Sequence, residues 1–166
     1  LVVKSGTLTK VSGTTVYPAG DLIGVTASVS QTNVGTIAGA VRAEGEAIRI
    51  ERLRLHKSSA NLTNASFRVH FWRAAPTLSV GDNGAFNAAN VYAVDDVIHH
   101  CGYFDVTMDK SGAIGAKGSG IPNSANGITV QPTAGTDIRF TLEALVSSYT
   151  PTSNEVFTIL IEGFRS

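Results

Sequence analysis

Two neighbouring stretches constrain the fold most: residues 47–57, AIRIERLRLHK, and residues 66–73, SFRVHFWR. In the second, Phe67, Val69 and Phe71 fall on one side, and Arg68, His70 and Trp72 on the other. A period of two belongs to a strand, one face buried and the other turned outward. The first stretch alternates with a single break. Ile48 and Ile50 are apolar, Glu51 and Arg52 are both polar, and Leu53 and Leu55 resume one residue late. One extra residue near Glu51 and Arg52, a β-bulge, restores the facing. The intervening SSANLTNA is made of turn formers, so the two stretches are expected to pair as a hairpin.

Alternation recurs along the chain. Residues 2–11 alternate weakly, which gives residues 1–16 the character of a terminal strand or an N-terminal arm. Residues 22–29 follow a turn at Pro18-Ala19-Gly20-Asp21. Residues 102–108, 128–130 and 137–146 each read as strands, and residues 156–164 are apolar on both faces, as in a strand covered on each side. Residues 33–46 are rich in Gly and Ala and read as a loop or short edge strand. Residues 111–127, SGAIGAKGSGIPNSANG, read as the longest flexible loop. Only the stretch between Ala88 and His100 has room for a short helix. The prediction is a single all-β domain over residues 1–166: a jelly-roll β-sandwich of about eight antiparallel strands in two packed sheets, with long loops and at most one short helix.

Composition removes several function classes. Lys plus Arg and Asp plus Glu both number 13, so the basic excess usual in a nucleic-acid binder is missing. Charged residues are 16% of the chain, which fits either a surface covered by partners or plain uncharged loops. Cys101 is the single cysteine, so no internal disulfide forms. No apolar run is long enough to span a membrane. The first residues, LVVKSGTLTK, lack a signal-peptide pattern, and the expected default is a cytosolic product.

Catalytic and metal chemistry find little support. His99-His100-Cys101, with Asp95 and Asp96 upstream, has zinc-type ligands. Adjacent side chains on an extended segment point opposite ways, however, and no second Cys/His cluster exists. A nucleophile would need a base among His56, His70, His99 and His100, yet no nucleophile elbow is present. Lys117 is followed by Gly118, so GAIGAKGSG is no phosphate loop. Asn61-Leu62-Thr63 and Asn64-Ala65-Ser66 fit the glycosylation pattern but read as a turn. No catalytic residue, metal or cofactor is predicted.

Charge is segregated along the chain. Arg49, Arg52, Arg54, Lys57, Arg68 and Arg73 stand against Glu51 alone, whereas Asp82, Asp95, Asp96, Asp105 and Asp109 lie in a stretch without Lys or Arg. Opposite patches either cancel between neighbouring strands or meet a partner in fixed register. The second reading is favoured, since aromatic and Arg side chains anchor interfaces. The expected interface residues are Arg49, Arg52, Arg54, Arg68, His70, Trp72, Arg73, Asp95 and Asp96.

Four stretches carry a resemblance: YPAGDLIG (17–24), IRIERLRLHKSSAN (48–61), FRVHFWRAAPTLSVGDNGAFN (67–87) and DDVIHHCGYFDV (95–106). Together they resemble a family of tailed-bacteriophage capsid cement, or head decoration, proteins. The resemblance implies a non-enzymatic jelly roll on the outer capsid surface, bridging and stabilising subunits of the major capsid protein. It also implies a homo-oligomer, a dimer ahead of a trimer, with no direct nucleic-acid or membrane contact. The competing reading is a phage tail, receptor-binding or carbohydrate-binding jelly roll.

Overall fold

The computed structural model of the chain describes residues 1–86 and 97–166. It is all-β, a single antiparallel sheet curled into a half-barrel of the sandwich and jelly-roll type. The strands are β1 Val2–Thr9, β2 Leu22–Ile23, β3 Gly35–Ile37, β4 Ile48–Lys57, β5 Ser66–Trp72, β6 His100–Thr107, β7 Lys110–Gly112, β8 Gly115–Pro122, β9 Ile128–Val130, β10 Ile138–Ala144 and β11 Val156–Arg165. Among the described residues they number 11 rather than about eight, and they form one continuous sheet where two packed sheets were expected. The order is β1-β11-β4-β8-β6-β5-β10-β2, with β3 beside β10, β9 beside β4 and β7 beside β8. One 3-10 turn spans Gln31–Asn33. The short helix expected between Ala88 and His100 falls almost wholly outside the described residues.

The alternation of β4 and β5 is real. Phe67, Val69 and Phe71 are fully buried, as are Ile48, Ile50 and Leu55. The bulge falls where the parity break puts it. Arg52 faces Glu162 and Ile50 faces Gly163, so Glu51 is the extra residue. The expected hairpin does not form: β8 and β6 lie between β4 and β5 in the sheet. The loop after β4 instead carries the chain across the curl, and Phe67 meets Phe157 of β11 through the core with ring centroids 5.3 Å apart.

Residues 111–127 are no flexible loop. They hold β8, a central strand paired to β4 on one side and to β6 and β7 on the other. Its glycines serve close approach. A Cβ at Gly118 would lie 2.2 Å from the Thr107 carbonyl oxygen. Residues 1–16 are not a free arm either, because Val2–Thr9 pair with β11 residue by residue. The expected 22–29 strand stops at Ile23. Beyond it, the buried Asn33 side chain accepts from the amides of Val25 and Thr26 at 2.8 and 3.0 Å and turns the chain.

A second layer covers part of the sheet's outer face. Trp72 joins Leu22, Leu78 and Phe86 in an apolar cluster separate from the main core. Backbone bonds from Phe86 to Gly20, Leu22 to Gly84 and Asn83 to Leu22, at 2.7 to 2.9 Å, hold it there.

Candidate partner-binding surface

The outward side of β4 presents Arg49, Arg52, Arg54 and His56. Arg49 forks onto Glu51 at 2.7 and 3.1 Å. Arg54 reaches Glu162 at 2.8 Å, while Arg52, 75% exposed, stands 4.0 Å from the same carboxylate. Exposed ion pairs of this kind contribute about 0–1 kcal/mol each, so these guanidinium groups are cheaply re-partnered. Beside them lie exposed apolar side chains: Leu1 and Val3 on the β1 side and Phe164 on β11. The Arg49 guanidinium sits 5.9 Å from the Phe164 ring centroid. Leu1, Glu51, Arg52, Glu162 and Phe164 line an open cavity of about 260 Å³. A mixed apolar and Arg-rich patch of this type can hold a protein partner that brings carboxylates.

The remaining expected interface residues lie elsewhere. Arg68 is on β5, separated from β4 by β8 and β6, and grips Asp105 of β6 at 2.7 and 2.9 Å. That bond, partly offset by burial, raises its pKa, and its guanidinium stacks 3.9 Å over the Tyr103 ring. Here the cross-strand cancellation weighed against an interface is what the chain does. Trp72 is completely buried, its Nε1 donating to Thr141 Oγ1 at 3.0 Å, so it is no exposed anchor. His70 is nearly buried, between Glu143 at 2.7 Å and His100 at 3.1 Å. Both outward positions are lost to the interface because residues of the second layer cover them. Arg73 donates to the Gln131 carbonyl at 2.9 Å. Asp95 and Asp96 lie outside the described residues.

Two further charges leave the surface account. Lys57 is fully buried, 3.1 Å from Glu155. Tyr149 donates to the other Glu155 oxygen, and burial with that bond raises its pKa. Asp82 accepts from the Tyr17 hydroxyl and from the Gly24 amide at 2.7 Å, which ties it into the fold. With Asp105 also paired, the described part of the acidic stretch keeps only Asp109 exposed and without a salt bridge. The acidic patch expected to meet a partner therefore loses Asp82 and Asp105.

Among the described residues, no three His, Cys, Asp or Glu side chains converge as metal ligands do. Burial pushes the Cys101 thiol up to about 11, which keeps it protonated and a poor nucleophile at neutral pH. An open groove of about 700 Å³ runs along β1 and β3, lined by Gly6, Leu8, Val25, Thr32, Val34 and Thr36 among others, with no charged group. Of the aromatic side chains a sugar could stack on, Tyr17, Tyr149 and Trp72 are buried, and Arg68 occupies a face of Tyr103.

Phe164 and Glu162 were missed as surface residues. Continuing the period-two count along β11 finds them, since Phe157, Ile159 and Ile161 take the buried side and Glu162 and Phe164 the other. No protein-family model matches the chain, and no curated protein matches it.

Proposed function

We propose that the chain is a non-enzymatic structural protein of the virion, which binds the outside of a phage capsid and bridges subunits of the major capsid protein. The observation that carries this reading is the outward side of β4, where Arg49, Arg52 and Arg54 lie next to exposed Phe164 and Val3. The paired strands β4 and β11 hold that patch together on the outside of the curled sheet, and many copies on one shell would add weak contacts into firm attachment. The four sequence stretches that resemble cement proteins support the same reading. The carbohydrate-binding alternative loses ground with the burial of Trp72. In this account the protein acts as a homo-oligomer, a dimer ahead of a trimer, made in the host cytoplasm and carried on the head.

Electron micrographs of virions labelled with antibody against this chain test the reading. Label over the heads is the expected result. Label confined to tails or fibres would replace it with the receptor-binding alternative.

A further inference from the structure

The covered outer face of β5 holds a chain of titratable groups that the partner surface does not use. His70 Nε2 lies 2.7 Å from Glu143 Oε2, and His70 Nδ1 lies 3.1 Å from His100 Nε2. The side chains of His70 and Glu143 are 12% and 8% exposed. His100 reaches this face through a second bulge. Trp72 faces His100 and Phe71 faces Gly102, which makes Cys101 the extra residue. Gly102, at φ +134, takes the backbone conformation that the bulge needs and a side chain resists. Aromatic rings then close over the imidazoles: Phe86 is 5.1 Å from His70, and Trp72 is 4.7 Å from His100.

Counting hydrogens sets the behaviour of this chain. Two nitrogens 3.1 Å apart form a hydrogen bond only when one carries hydrogen and the other does not. Two neutral rings satisfy that condition, and so does a pair holding one extra proton. A second extra proton puts hydrogen on both nitrogens, replacing the bond with a contact between like charges away from water. Glu143 compensates one of those charges. Among the described residues, the other charged groups near this face are already engaged: Arg68 with Asp105 and, through its charge, with Glu143, Arg139 with Thr36, Arg73 with the Gln131 carbonyl, and Asp82 with Tyr17 and Gly24. Asp21, beside Leu22 in the covering layer, has its carboxyl raised by burial and then by Asp82.

We propose that Glu143, His70 and His100 form a proton-operated latch: acid adds the second extra proton to the imidazole pair and frees the covering segment of residues 73–86, while the sheet, β2 included, and the main core stay folded. Burial, and then His70, hold His100 down to about 4, which places the event in acid. Phe86 of that segment lies against His70 and shares the apolar cluster of Trp72. Such a latch would couple the exposure of β5 to acidification, independently of what the β4 patch binds.

Trp72 is the single tryptophan and sits in the affected cluster, so its fluorescence and near-ultraviolet circular dichroism report the layer directly. As the pH falls from the ordinary histidine value of 6.5 toward about 4, these signals should change reversibly while the far-ultraviolet strand signal stays. In His100→Gln, which keeps an acceptor for His70 but cannot titrate, the change should disappear from that range. The same transition in H100Q, or an unchanged wild-type signal, overturns the proposal. Should H100Q fail to fold at neutral pH, imidazole 15N shifts of the wild type decide. Protonation of His100 in step with the Trp72 change supports the latch, and a Trp72 change without it refutes the latch.

Discussion

Glu162 on β11 stands opposite Arg52 on β4 and takes the guanidinium of Arg54 at 2.8 Å. It can do so because the bulge at Glu51 slips the register by one residue and keeps Arg52 and Arg54 on the outward side. One carboxylate thus faces two guanidinium groups, and Arg52, at 4.0 Å, is the less engaged. The bulge converts a break in sequence parity into a row of available cations beside Phe164.

Gly118 should tolerate no side chain. Gly118→Val drives a methyl-bearing Cβ toward the Thr107 carbonyl in the middle of the sheet, and a loss of about 3 kcal/mol or more, or failure to fold, is expected. Gly112→Ala is the control, since a Cβ there meets nothing within 4 Å. Thermal melts of the two variants should differ widely. Equal, small effects would return residues 111–127 to the status of a loop.

The contrast between these glycines shows what could be read from the chain. The inner face of β5 and the bulge at Glu51 were legible because side-chain period follows directly from backbone geometry. β8 was not legible, because its packing depends on side chains that are absent, and Gly-rich composition looks the same whether loose or crowded. Its place between β4 and β6 removed the expected hairpin in turn. The partner patch was half legible. Arg49, Arg52 and Arg54 project from β4 as their spacing implies, but the covering of His70 and Trp72 comes from a distant segment with no periodic signal.

The buried Lys57, Glu155 and Tyr149 should behave as one unit. Removing one charge strands the other in the core, so Lys57→Met or Glu155→Gln is expected to cost about 3–5 kcal/mol. Tyr149→Phe should cost less, about 1–3 kcal/mol, since the carboxylate keeps Lys57. Urea denaturation of the singles and the K57M/E155Q double variant checks this. A double variant well short of the sum of the singles is the expected result, and simple additivity would show that the pair is uncoupled.

Stability should fall on acidification through His100. Its folded-state value, near 4, lies below the ordinary 6.5, so the unfolded chain binds the proton first. The contribution is complete above about 6.5 and is lost progressively toward about 4. Asp21 works in the opposite sense, because burial and then Asp82 raise its carboxyl and the folded state binds its proton more readily. The difference in urea midpoint between wild type and H100Q across this range isolates the histidine. A difference that does not vary with pH would contradict the assignment.

The outward side of β4 is the proposed contact with the capsid. The decisive measurement is binding of purified wild-type chain and of Arg52→Glu with Arg54→Glu to capsids assembled without this protein, alongside far-ultraviolet circular dichroism of both. These two side chains are exposed, and their pairing with Glu162 contributes only about 0–1 kcal/mol each, so the variant should keep its fold. The account predicts saturable, salt-sensitive binding of the wild type and at least a tenfold weaker affinity for the variant, about 1.4 kcal/mol. Equal binding by the two folded proteins would contradict it.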